Sequence, residues 1–427
     1  MTDDRIFAKC AWRLLPLLIA AYVVNYLDRT NIGFAALTMN KDLAFSPSVY
    51  GLGAGIFFLS YSAFQVPANL VLHRVGARRW IFCILLVWGG AAAACALIRG
   101  PYTFYGLRFL LGVAEAGFFP GIILYLTFWF PKAYLCRVTA IFMAAPPASL
   151  VIGGPLATVI LHLNGAAGFY GWQWLFLLEG LPACVIAFAV LRFLPDRPRH
   201  ASWLRENEKA AIAARLHIEE NAKQGDMMPA LLDVRVVVLG IAYGSMLVAI
   251  YGFAFWLPLI VQGMGFSNTA TGFVTALLYL AALPAMILWG RSSDRKGERT
   301  WHVAIPALFA AAALGVASIT HEPLVLLFAL ALAWMGMESI LAPFYTLPAL
   351  FLSGPAMAAG FALVSAIGGL IGGFAGQYVI GIVRERTGSY ALPMLTMATA
   401  LLLGALVVLA LGRATVPGVA AKAVARA

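Results

Sequence analysis

The sequence predicts an all-α membrane protein of twelve transmembrane helices in two six-helix pseudo-repeats. Three observations predict it. Of 427 residues, 62% are hydrophobic and 11% charged, against about 25% charged in an ordinary soluble domain. The apolar residues are gathered into twelve long runs, six on either side of one polar block. Lys and Arg alternate from one side of these runs to the other. A bilayer-spanning helix takes ~20 apolar residues, so twelve would use roughly 240 and leave the remainder for loops.

The first six runs cover about 13–35, 50–72, 80–98, 102–130, 138–162 and 173–194. The first is too long, and too polar at its end, for a cleavable leader, and reads as an uncleaved signal-anchor. Residues 195–233 then hold the densest block of charge, including Arg197, Arg205, Glu206, Glu208 and Lys209. Within it Trp203, Leu204, Ala211, Ile212 and Leu216 recur at a helical period, which predicts an amphipathic helix over 202–222 lying at the membrane surface. The other six runs cover about 234–262, 270–290, 301–319, 323–352, 357–383 and 391–412. The domains are therefore expected to be a bundle over 1–194, a linker over 195–233 and a bundle over 234–427.

The net charge of +11 would suggest nucleic acid in a soluble protein, but its distribution argues otherwise. With the N-terminus placed inside, 23 Lys and Arg fall on the inner side and four on the outer, and Arg29 and Arg108, inside spans, complete the 29. That bias places both termini and the linker in the cytoplasm. Cys10, Cys83, Cys95, Cys136 and Cys184 show no CxxC or metal spacing and read as fillers of apolar surroundings. No metal cluster, nucleophile–base set or phosphate loop is present in the sequence, so neither an enzyme nor a cofactor is expected.

The halves repeat. A shift of 221 residues lays Gly51 on Gly272, Arg74 on Arg295, Gly76 on Gly297, Arg78 on Arg299 and Trp80 on Trp301. A parallel repeat around a cytoplasmic linker is the layout of a rocking secondary transporter. Residues 290–299 read Gly-Arg-Ser-Ser-Asp-Arg-Lys-Gly-Glu-Arg, and the first copy, around Arg74 and Arg78, lacks the Asp. The twelve-span plan with this duplicated loop resembles the major facilitator superfamily. Carboxylate and guanidinium groups there suit a latch between helix ends, assigned to Arg74, Arg78, Asp294, Arg295 and Arg299.

Span 1 holds Tyr26-Leu27-Asp28-Arg29-Thr30-Asn31. Span 4 holds Arg108-Phe-Leu-Leu-Gly112-Val-Ala-Glu115-Ala-Gly117-Phe-Phe-Pro120-Gly121. Span 6 opens on Gly171-Trp172-Gln173-Trp174. Together these strings are similar to the anion:cation symporter family, whose members include permeases for tartrate, galactonate, hexuronates and phthalate. The resemblance covers nearly the whole chain. It implies uptake of a small organic carboxylate with protons at a bacterial inner membrane.

The residues point the same way. Charged groups inside a span are costly and default to function. Arg108 and Glu115, seven apart, share a face of span 4 about 10 Å apart along the axis. Tyr22, Asn25, Tyr26 and Arg29 make a polar stripe on span 1, and Tyr61, Gln65 and Asn69 another on span 2. Arg29 and Arg108 suit a substrate carboxylate gripped by paired hydrogen bonds, the lesser alternative for Arg29 being a structural ion pair with Asp28 or with a carboxylate on another span. Asp28 and Glu115 suit protons, because desolvation favours the neutral carboxyl. Glu179 reads as an anchor near the outer face. His162 and His302 read as interfacial.

In the second half the shifted positions are Ala249, Ile250, Ala329 and Gly336, so that half is expected to shape specificity. Its candidates are Tyr251, Trp256, Phe344, Tyr345 and Ser365, with Glu338 either titrating or capping a kink. The expected partners are an organic anion, protons and the bilayer, for a monomer. An exporter or exchanger would use the same site, and a transporter-like sensor is the reading from another class.

Overall fold

The computed structural model describes residues 3–220, 233–352 and 354–424. Among these the regular structure is helical throughout, and eleven stretches are long and apolar enough to cross a membrane. The helix Pro47–Val75, 29 residues long, stands between the first two of them and brings the long helices to the expected twelve.

In chain order the helices are α1 (Asp3–Asp42), α2 (Pro47–Val75), α3 (Ala77–Ala94), α4 (Pro101–Glu115), α5 (Phe118–Thr127), α6 (Lys132–Phe142), α7 (Ala145–Leu161), α8 (Gly171–Phe193) and α9 (Glu206–Glu220). They continue with α10 (Val234–Gly263), α11 (Asn268–Lys296), α12 (Thr300–Ile319), α13 (Pro323–Phe344), α14 (Gly354–Gly368), α15 (Gly376–Thr387) and α16 (Ala391–Val424). Spans 4 and 5 are thus each two helices in line, α4–α5 and α6–α7. Span 11 is α14 and α15 joined by a π-helical stretch, Gly369–Ala375, where Gln377 Nε2 donates to the Gly372 carbonyl at 3.1 Å.

The chain divides into two compact units. The first takes residues 1–43 and 63–224. In it α1 packs on α7 and α8, and α3 on α8. The second takes residues 44–62 and 225–427. In it α10 packs on α14 and α16, and α12 on α16. These are the same pairings one half later, so the repeat read from the 221-residue shift exists in the packing. The division falls inside α2, whose first half belongs with the second unit: Tyr50 Oη donates to the Phe255 carbonyl at 2.9 Å, and the Ser46 hydroxyl and Ser48 amide bond Glu385 at 2.9 Å.

Two boundaries differ from expectation. The first helix begins at Asp3, ten residues ahead of the apolar run, because its first turns are amphipathic. Ile6, Phe7 and Cys10 are buried, and Lys9 Nζ reaches Glu208 Oε2 at 2.7 Å. The linker helix starts at Glu206, later than expected. Trp203 lies ahead of it and stacks on Trp129 at 5.7 Å. Glu208 Oε2 also accepts from the Arg205 amide at 2.8 Å, and the Lys9 ammonium bond first, with that amide, holds its carboxyl below the usual glutamate range.

The duplicated loops are built alike at the backbone and differently at the side chains. Gly76 and Gly297 both take positive φ, 90° and 63°, a conformation that costs glycine nothing and L side chains a good deal. In the second copy Arg299 Nη1 bonds Asp294 Oδ1 at 2.6 Å and Ser293 Oγ at 2.9 Å, closing the turn on itself. Glu298 accepts from the Trp301 and His302 amides at 2.7 and 3.1 Å and so caps α12. The first copy, which lacks its own Asp, takes one from just beyond α8. Asp196 Oδ1 accepts from the Arg78 amide at 2.9 Å, while the Arg78 guanidinium bonds the Leu191 carbonyl. The side chain of Arg74 lies outside the described residues.

Candidate functional site

The charged groups of the first unit come together in its interior. Asp28 and Arg29 sit mid-way along α1, Arg108 on α4, Glu115 at the last residue of α4, and Glu179 on α8. Their exposures are 1%, 9%, 0%, 0% and 4%. Arg29 Nη2 bonds Glu115 Oε2 at 2.7 Å. The spacing argument put Glu115 on the Arg108 face of its own helix. The structure makes its direct partner Arg29, 86 residues away, with Arg108 close enough for its charge to act on both Asp28 and Glu115.

The local chain explains how Glu115 reaches across. Helix α4 stops there, Ala116 and Gly117 turn, and α5 resumes at Phe118. A β-carbon on Gly117 would lie 2.9 Å from Ala68 Cβ, 3.0 Å from Ile84 Cδ1 and 3.1 Å from the Trp80 ring. Only a glycine lets α2 and α3 come this close to the break, and the break leaves Glu115 at a helix end pointing inward. Beside it, Tyr26 lies under the Arg29 guanidinium, 5.8 Å from ring centroid to carbon. Tyr22, the first residue of the stripe on α1, stacks on Phe142 at 4.5 Å and is a packing residue. Gln65 is half-buried on α2.

Sequence reasoning placed Glu179 near the outer face. It stands eight residues into α8, about 12 Å along the helix, and its charge is felt at Asp28. Asn31, 2% exposed, donates from Nδ2 to Asp28 Oδ1 at 3.4 Å. The first unit thus carries three carboxyls and two guanidiniums in one buried cluster. The signal available in the sequence was the intramembrane acid itself.

The second unit carries aromatic groups where the first carries charge. Tyr243 and Tyr345 share a hydroxyl–hydroxyl bond of 2.9 Å. Tyr243 stacks on Phe344 at 4.8 Å, and Tyr345 meets Phe361 edge-on at 5.4 Å. Tyr251 packs against Phe58 at 4.3 Å, and Tyr61 stacks on Phe57 at 5.8 Å. Tyr243 was missed, although the 221-residue shift lays it on Tyr22 of the first-half stripe. Trp256 is 1% exposed and packed edge-on against Tyr50 at 4.9 Å, and Phe344 is fully buried. Tyr251, Tyr345 and Ser365 are half-buried. Glu338 is 9% exposed, near Tyr279 and Tyr345, with no ion-pair partner among the described residues.

Two repeated six-helix halves of membrane-spanning length, with charge buried in the first, are the build of a membrane transporter. The sequence profile of the Major Facilitator Superfamily matches residues 18–376, and the chain belongs to that superfamily. It is 45% identical over 414 residues to a putative tartrate transporter of Agrobacterium vitis, covering 96% of this chain and 95% of that one. It is 39% identical to the putative metabolite transport protein NicT of Pseudomonas putida, covering 95% and 94%. Among solved structures it matches a bacterial homolog of the human lysosomal transporter Spinster, in an inward-facing and occupied conformation. That match has TM-score 0.77 and 17% identity over 94% of this chain and 96% of the other, a likeness of fold. The protein is an integral membrane transporter and not an enzyme.

Proposed function

We propose that this transporter imports a small organic carboxylate together with protons by alternating access, in a bacterial inner membrane with both termini and the linker cytoplasmic. The observation that carries the reading is the buried Arg29–Glu115 pair with Arg108 beside it. A guanidinium held by an internal carboxylate at 2.7 Å is released when that carboxylate takes a proton. It is then free to fork onto the carboxylate of a substrate. Proton binding and anion binding thus favour each other through one group. The name of the relative from Agrobacterium vitis, a putative tartrate transporter, supports a carboxylate as cargo.

In this reading the bundle over 1–194 holds the anionic head and the protons, through Arg29, Arg108, Asp28 and Glu115, with Tyr26 and Gln65 beside them. The bundle over 234–427 selects the remainder of the substrate through Tyr251, Tyr345 and Ser365. Trp256 and Phe344 are buried in the same bundle, packed on Tyr50 and Tyr243, and Tyr61 adds a ring from α2. Glu338 is a further titrating group, in the second bundle. Arg78, Arg74 and the Asp294–Arg295–Arg299 loop latch the helix ends. Each charge carried across the membrane is worth about 2.3 kcal/mol per 100 mV, so the anion moves inward most readily when its charge is matched by protons.

The test is Glu115→Gln in proteoliposomes with tartrate. The variant should exchange tartrate in counterflow, and should fail to accumulate it under a pH difference. Accumulation equal to wild type would remove Glu115 from coupling.

A further inference from the structure

We propose that the C-terminal end of α11 carries a binding site for one anionic phospholipid, with Arg291, Arg295 and Lys296 on its head group and Leu288 beside its acyl chains. The proposal goes beyond the transport reading, and its test depends on neither the cargo nor the coupling ion.

The outward face of α11 changes chemistry along its length. Phe273, Leu277, Leu280, Pro284, Ile287 and Leu288 are exposed on it, and at 3.6 residues per turn they fall within an arc of about 100°. Arg291 and Arg295, also exposed, continue that arc, and Lys296 stands at its edge. Leu288, Arg291, Ser292, Arg295 and Lys296, at i, i+3, i+4, i+7 and i+8, line one cavity of about 270 Å³. A helix face that turns from apolar to basic at one level marks where hydrocarbon gives way to head groups. Arg291 to Lys296 covers about 7.5 Å along the axis, and the head-group layer of one leaflet is about 5–8 Å deep.

The three cations are not matched within the protein. None has a carboxylate partner among the described residues. The acids of the adjoining loop are engaged elsewhere, Asp294 with Arg299 at 2.6 Å and Glu298 with the Trp301 and His302 amides. Nor does the duplicated loop account for them. The 221-residue shift lays Arg295 on Arg74, but Arg291 on Leu70 and Lys296 on Val75.

A phosphodiester presents one negative charge on two unesterified oxygens. A guanidinium meets these with a fork of two hydrogen bonds, and an ammonium meets them as a point charge. A zwitterionic head group brings its own cation to the same place, where three cations repel it. A free phosphate offers the same oxygens but leaves Leu288, 64% exposed, against water. The occupant that satisfies both the basic and the apolar lining is an anionic phospholipid, such as phosphatidylglycerol. Each basic side chain near an anionic lipid favours binding about fivefold, so the three together give roughly a hundredfold preference.

The experiment is native mass spectrometry of the purified full-length protein in detergent, titrated with phosphatidylglycerol and with phosphatidylcholine of the same acyl chains. Wild type should bind one phosphatidylglycerol roughly a hundredfold more tightly than phosphatidylcholine. Arg291→Gln combined with Lys296→Gln should lower that preference to about fivefold. Arg5→Gln combined with Arg13→Gln removes the same charge from exposed positions on α1 and should leave it unchanged. Equal affinity of wild type for the two lipids overturns the proposal. So does an equal loss in the two double variants, which would be the effect of net charge alone. Inorganic phosphate in large excess should not displace the lipid; displacement would make this a site for free phosphate and overturn the proposal as well. Should the α11 double variant fail to fold, each of its single variants should lose about fivefold, and wild-type preference in either would be equally fatal.

Discussion

Removing the guanidinium from the Arg29–Glu115 pair should cost more than removing both charges. At 2.7 Å and an effective dielectric of about 20, the attraction is roughly 6 kcal/mol. Most of that is set against taking the two groups out of water, so the intact pair is worth little beyond an apolar replacement. Breaking it from one side is different. Arg29→Met leaves the fully buried Glu115 without its counter-ion, a change that costs about 3–5 kcal/mol. At 2–4 °C per kcal/mol, this lowers the unfolding temperature by on the order of 10 °C. Adding Glu115→Gln removes the stranded charge and should restore most of the loss. The assay is thermal unfolding of the four proteins of the cycle in one detergent. If Arg29→Met unfolds with wild type, or the double variant is less stable than either single one, the two groups are not a buried ion pair.

Two further outcomes are expected. Arg108→Lys should insert normally and lose tartrate uptake, because lysine keeps the charge and lacks the planar fork; initial rates in vesicles matched for protein content decide it. The linker helix should release at low pH. Glu208, held below the usual range by Lys9, contributes docking stability that is complete above the unfolded glutamate value of about 4.3 and lost as pH falls through its lower folded value. Protection of the linker from limited proteolysis should therefore fall on acidification below about pH 4, while Glu208→Gln should be unprotected already at neutral pH.

The spans, the repeat and the buried charged residues were legible because burial in lipid writes itself into composition and period. Partners were not. Periodicity says which face of α4 Glu115 occupies, but the break at Ala116–Gly117 decides that it meets Arg29, and that break comes from how closely α2 and α3 approach. Asp196 completes the first loop from beyond α8, outside any motif window. In each case the missing fact was a contact between residues distant in sequence.

The π-helical stretch in span 11 has a bearing on how that span should be read. A π turn absorbs one residue more than an α turn. At about 100° per residue, Ser365 and Gln377 would stand roughly 120° apart on an unbroken α-helix, and the additional residue brings them to within about 20°. A helical wheel drawn through the whole span would put these two polar side chains on different faces. The span has two azimuthal phases, one up to Gly368 and another from Gly376 onward. Deleting a single residue between them would let the stretch close as a regular α-helix and still leave these two side chains within about 20° of each other, so the span tolerates the loss of a residue there without turning α15.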